Sequence, residues 1–167
     1  MDYMALSLPL VLLLTVAAGS SSKAPSAKPA LPSKATSACA AVTKSDVEDA
    51  LGQFVGLGES EANPSHSTCD YSANGRQVSV TIGHARESLN AAMEIEALKT
   101  NFPTGKIREL TGIGVRAFFL DIPEAGIQLN VLRGEHDYLI VSVLGFGAAE
   151  QVSAAAEKMA RRALERL

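Results

Sequence analysis

Two cysteines and three histidines are the side chains of this 167-residue chain most suited to chemistry, and their spacing decides what chemistry is open to them. Cys39 and Cys69 are the only thiols. They lie too far apart for a Cys-x-x-Cys redox site, and without a neighbouring His they supply half of a tetrahedral zinc site. In an oxidising compartment such a pair forms a structural disulfide, and closing a loop of ~30 residues stabilises a fold by about 3 to 4 kcal/mol. His66, His84 and His136 fall in or beside loops, spaced too widely for a helical ligand pair, and His84-x-x-Glu87 lacks a second His. They read as solvated loop histidines, and no metal ligand is assigned.

Other candidates carry weaker chemistry. Gly112-Ile113-Gly114-Val115-Arg116-Ala117 matches the letters of a dinucleotide fingerprint, but the strand-like Ala117-Phe118-Phe119-Leu120 follows where a helix N-terminus must meet the pyrophosphate. The two glycines are therefore expected to make a turn between strands, and no cofactor is assigned. There is no Gly-x-Ser-x-Gly. Asp121 and Glu124 flank Pro123 and read either as paired carboxylates or as a solvated turn. Gln128 and Asn130 alternate with Ile127, Leu129 and Val131, and Tyr138 stands on the following strand. These three polar side chains form a candidate binding face, although ordinary wet-face residues would look the same. No residue is assigned a catalytic role.

The elements that must position these groups begin after an export signal. Ala5 to Ala18 is an uncharged apolar run, shorter than the ~20 residues of a spanning helix and followed at once by small residues suited to a signal peptidase. Residues 1–19 are expected to be a signal peptide. Met1 to Met4 carry no Lys or Arg, so an uncleaved N-terminal tether stays open as the one route to a membrane. Ser20 stands where a lipid-bearing Cys would. Residues 20–38, rich in Ser, Ala, Pro and Lys, read as a disordered linker with too little apolar area to offset the entropy of ordering. Residues 39–167 are expected to form a single domain.

Apolar residues make up 47% of the chain and charged ones 20%, a globular composition. Residues 1–38 hold Lys23, Lys28, Lys34 and Asp2, so the remainder has 12 basic against 17 acidic side chains, a net charge near minus 5. That balance argues against nucleic acid as a partner, which needs Lys and Arg clustered on one face.

Thr43, with Asp46 three residues on and Val42 and Val47 as a hydrophobic staple, predicts a helix over 44–51 that stops at Gly52. A Gly-containing acidic loop over 56–64 follows. Strands over 68–72 and 77–83 are expected to flank a turn at Asn74-Gly75. A second helix is predicted over 87–101, strands over 106–110, 115–122, 127–132 and 137–144, and a final helix over 148–167. Tyr138 to Leu144 is apolar on both faces and so belongs at the centre of the sheet. The predicted fold class is α+β: an antiparallel sheet of about five to six strands with three helices, in which hairpin-then-helix occurs twice and hints at a duplicated unit.

Cys39 with Thr43, Asp46 and Gly52, then Cys69 and Tyr71, Asn74-Gly75, Gly112-Ile113-Gly114 and a terminal Ala-rich helix together resemble small exported bacterial domains of unknown function, many of them lipoproteins. The resemblance implies an α+β domain of the cell envelope and carries over no catalytic residue. The expected function is that of an exported protein, periplasmic, envelope-bound or extracellular, acting as a non-enzymatic module for a protein or small ligand. The alternative is a secreted hydrolase using His84 or His136 with a carboxylate. A stapled scaffold without a reactive cluster favours the first.

Overall fold

A computed structural model describes residues 37–167; the expected signal peptide over 1–19 and the expected linker through residue 36 fall outside the described residues. The elements run α1 (Ala38–Ala41), α2 (Lys44–Leu51), β1 (Glu59–Ala62), β2 (His66–Ala73), β3 (Arg76–His84), α3 (Ala91–Asn101), β4 (Lys106–Leu110), β5 (Arg116–Ile122), β6 (Gly126–Leu132), β7 (Asp137–Leu144) and α4 (Ala149–Arg166). All seven strands join one antiparallel sheet in the order β1-β2-β3-β7-β6-β5-β4. The class is α+β as expected, but among the described residues the sheet has seven strands and not five to six, and there are four helices and not three. β1 occupies the stretch expected to be loop, and α1 is a four-residue addition. Ser37 and Ala38, assigned to the linker by composition, cap and open α1, and Ala38 is fully buried.

Alternation sorts the strands into two faces. Val78 and Val80 of β3, Leu139, Val141 and Val143 of β7, and Ile127, Leu129 and Val131 of β6 point to one side and are buried. Against them lies α4, through Val152, Ala155, Ala156, Met159, Ala160 and Ala163. The small side chains of that stripe let the helix axis approach the sheet closely. β7 is fourth of seven in the sheet, the central place its two apolar faces require.

On the same side, α1 packs over β2 and β3, and α2 packs against α4. Thr43 and Asp46 form the expected capping box, in which the Thr43 N–H donates to Asp46 Oδ2 at 2.8 Å, and Gly52 ends α2 with φ of 66°. Cys39 and Cys69 are disulfide-bonded with Cα atoms 5.1 Å apart, which staples α1 to β2. The Tyr71 hydroxyl donates to the Val42 carbonyl, and burial pushes its pKa up.

The last turn of α4 returns to this corner. Arg166 donates from Nη2 to Asp46 Oδ1 at 3.0 Å and from Nη1 to the Ala41 carbonyl at 2.8 Å. Burial pushes the Asp46 carboxyl up, but hydrogen bonds from Arg166 and Thr43 and the Arg166 charge outweigh it and hold the pKa at about 2, against an ordinary 3.8. A carboxylate depressed in the folded state stabilises above its unfolded pKa and loses that contribution as pH falls through its folded one. The side chain is only 14% exposed, so screening is modest. The shift corresponds to roughly 2 kcal/mol. Asp46→Asn is therefore expected to lose about 2 kcal/mol at neutral pH, with the gap from the parent closing between about pH 4 and pH 2. Urea midpoints across that range are the check, and a gap independent of pH would contradict the assignment.

The opposite face carries Thr68, Asp70, Ser79, Thr81, Ser142, Gln128 and Asn130, with Phe118 and Leu120 beside them. α3 lies over the β4–β5 end of this face, where Phe118 and Leu120 are 2% and 0% exposed. It begins at Ala91 and not at residue 87, because the Asn90 side chain accepts from the N–H groups of Ala92 and Met93 and sets the cap there. No α3 residue is fully buried; Ala91, Ile95 and Leu98 are half-buried and Met93 is exposed. α3 and α4 thus follow their hairpins onto opposite faces, and the two hairpin–helix stretches are not superposable copies.

Candidate functional site

Between the start of α3 and the sheet lies a cavity of about 300 Å³. Ala85, Leu89 and Glu94 form its outer wall, and Phe118, Asn130, Leu132, Tyr138 and Ile140 its floor. The floor is set by register: Ile140 pairs with Asn130, Asn130 with Phe118, and Tyr138 with Leu132, so these side chains emerge side by side on one face. The outer wall is held by backbone bonds from the Leu89 N–H to the Glu135 carbonyl at 2.6 Å and from the Ala85 N–H to the His136 carbonyl at 2.8 Å.

Asn130 is the unusual member. It is 7% exposed, and its Oδ1 accepts from Gln128 Nε2 at 2.8 Å, while its Nδ2 is buried with no hydrogen-bond partner among the described residues. A buried amide donor without a partner forfeits about 1 to 3 kcal/mol. Tyr138 rests on a glycine: a Cβ on Gly83, its cross-strand partner, would lie 2.4 Å from the Tyr138 ring, so only glycine lets the ring lie flat there. Among the three residues of the expected binding face, Asn130 and Tyr138 line the cavity and Gln128 fixes the amide of Asn130.

The histidines are arranged differently. His84 Nδ1 lies 2.9 Å from Asp137 Oδ1, and the His84 and His136 rings are 5.3 Å apart at the surface. The hydrogen bond from His84 holds the Asp137 carboxyl below its usual range against slight burial, with the charges of His84, Arg133 and His136 adding to it. His66 opens β2 beside Asn63 and Ser65 of the β1–β2 loop, where the Ser65 hydroxyl donates to Asn63 Oδ1 at 2.8 Å. Among the described residues, no group of three His, Cys, Asp or Glu side chains is placed to hold a metal ion.

Gly112 and Gly114 take φ of 77° and 60° in the turn between β4 and β5, as the strand after them requires. Asp121 is held by Arg108, which donates from Nε and Nη2 at 2.8 Å each, and Glu124 sits at φ of 62° in the β5–β6 turn.

Ala85, Leu89, Glu94, Phe118 and Ile140 were not singled out by sequence. Alternation places Phe118 and Ile140 on the face of Asn130, which was a usable signal. Nothing in the residue pattern announces that Ala85 and Leu89 close over them.

Among the described residues, no helix is long and apolar enough to cross a membrane. Comparison with protein-family models, with curated proteins and with solved structures returns no match to this chain.

Proposed function

We propose that this protein is an exported, non-enzymatic binding module that holds a small ligand between α3 and the sheet. The observation that carries the reading is a cavity of about 300 Å³ between residues 85–94 and the sheet, lined mainly by Leu89, Phe118, Leu132, Tyr138 and Ile140, with Glu94 and Asn130 among them. Mainly apolar walls with a few placed polar groups are the usual makeup of a small-molecule site, and ~300 Å³ is the lower end of the usual range. The disulfide supports folding in an oxidising compartment, in keeping with the apolar run at residues 5–18.

Native mass spectrometry after incubation with a chloroform–methanol extract of bacterial envelopes is the test. A discrete small-molecule adduct is expected on the parent and not on Ala85→Trp, whose indole fills the cavity. Absence of an adduct, or its survival in Ala85→Trp, contradicts the reading. The hydrolytic alternative rests on the His84–Asp137 contact. Turnover of an ester or cell-wall substrate that is abolished by His84→Ala would favour it over binding.

A further inference from the structure

The charge around the cavity selects the sign of its ligand, an argument that rests on the binding reading above. Glu94 is the one charged side chain in the lining. A neighbouring groove of about 450 Å³ shares Leu89 and Leu132 with the cavity and is lined by Glu135 and Arg116 as well. Glu94 and Glu135 are both exposed, so solvent and solutes reach them. Arg116 is engaged by Glu109, whose Oε1 lies 3.1 Å from its Nη2.

The other cations on this flank are offset too. Arg86 and Glu87 are neighbours in the loop that leads to Leu89, and Lys99 pairs with Glu96 at 2.8 Å. Arg133 lines a separate hollow with His66, and its charge acts on the Asp137 carboxyl. The N-terminus of a helix such as α3 ordinarily favours an anion. Here that end is already answered. Asn90 Oδ1 accepts from the N–H groups of Ala92 and Met93 at 3.0 and 3.3 Å, the Asn90 carbonyl accepts from the Glu94 N–H at 3.0 Å, and Glu94 itself stands in the first turn.

Among the described residues, Glu94 and Glu135 therefore carry the unbalanced charge around the cavity, and it is negative. A ligand anion placed there is repelled by both carboxylates. An ammonium is attracted by both and need not be buried, because it can stay in water at the rim while an apolar body enters. Leu89, Phe118, Tyr138 and Ile140 suit such a body, and the volume is about twice the ~150 Å³ that accommodates a benzene.

We infer that the ligand is a cationic amphiphile, an apolar body of about two rings seated in the cavity with an amine at its rim, drawn by the carboxylates of Glu94 and Glu135. Exposed charges are screened, so the selection amounts to several fold and falls with salt.

Three probes of nearly equal shape separate charge from body: 2-naphthylmethylamine, 2-naphthylmethanol and 2-naphthoate. NMR titration of the uniformly ¹⁵N-labelled protein reads affinity and location together. In low salt the amine is expected to bind about fivefold more tightly than the alcohol, and the alcohol about fivefold more tightly than the naphthoate. In about 0.5 M salt the three should converge to within about twofold of one another. Glu94→Gln with Glu135→Gln keeps both side-chain sizes at exposed positions and is expected to bring the amine to within about twofold of the alcohol in low salt. Glu59→Gln with Glu61→Gln changes the net charge equally but at β1, the far edge of the sheet, and should leave the amine preference intact.

Equal affinity of amine and alcohol for the parent in low salt, tighter binding of the naphthoate, an amine preference that survives the Glu94 and Glu135 changes, or one that is lost equally with the Glu59 and Glu61 changes overturns this inference while leaving the binding module in place. Failure of all three probes to move the backbone amides of Phe118, Tyr138 and Ile140 overturns both.

Discussion

Changing Cys39 and Cys69 together to Ala is expected to lower the unfolding free energy by about 3 to 4 kcal/mol and the melting temperature by roughly 10 to 15 °C. The bond closes a loop with a sequence separation of 30, and severing it restores chain freedom mainly to the unfolded state. The folded state loses something as well. Cys69 is fully buried, and Gly58 lies against it so closely that a Cβ there would be 2.6 Å from Cys69 Sγ. Urea unfolding of the double variant, beside the parent with and without reductant, measures the effect. Alanine is preferred to serine because it buries no hydroxyl at the site. A loss below about 1 kcal/mol would mean that α1 is held to the sheet by packing alone.

Gly126→Ala is expected to be comparably damaging for a different reason. Gly126 opens β6 at φ of 133°, where side-chain-bearing residues are rarely found. A Cβ there would sit 2.1 Å from the carbonyl oxygen of Val143, in the backbone of the central strand. Backbone cannot yield as a flexible side chain can, so the β6–β7 pairing must shift. A loss of about 3 kcal/mol or more follows from strain and displaced packing together. Gly134→Ala is the matched control: its Cβ meets nothing within 4 Å, and a change within about 0.5 kcal/mol is expected. Similar melting curves for the two variants would show that the contact at Val143 relaxes freely.

The parts of this fold that were legible beforehand are those decided by neighbours in sequence. The Thr43–Asp46 box depends on three-residue spacing, Asn74-Gly75 takes φ of 51° and 76° in the hairpin it predicts, and β7 follows from an apolar run on both faces. β1 was illegible because Glu-Ser-Glu-Ala is exposed at all four positions, with no alternation to detect; it is a strand through its pairing with β2. α1 is too short to show a period. Residues 87–90 read as a helix start through Leu89 and its spacing to the apolar residues that follow, yet Leu89 belongs to the cavity wall and Asn90 is the cap.

The candidate site divides along the same line. Gln128, Asn130 and Tyr138 share a face because strands alternate, and that much is written in the chain. Which polar group on the face lacks a partner is decided by tertiary placement, here the Gln128–Asn130 contact and the closure of residues 85–94 above it. The histidine–carboxylate pairing of the hydrolytic reading also needed the fold, since His84 and Asp137 are brought together by the β3–β7 register.

That register has a kinetic consequence. The sheet is two blocks, residues 59–84 and 106–144, and the seam between them is the β3–β7 ladder, whose partners include Gln77 with Leu144 and His84 with Asp137. The second block cannot bury its inner face until α4 arrives to cover it. Closing so distant a seam is slow, because the entropy of the intervening loop is spent before any contact repays it. Assembly should therefore be a late, nearly all-or-none event that waits for residues 137–167, leaving a growing or threading chain open until that last stretch is in hand.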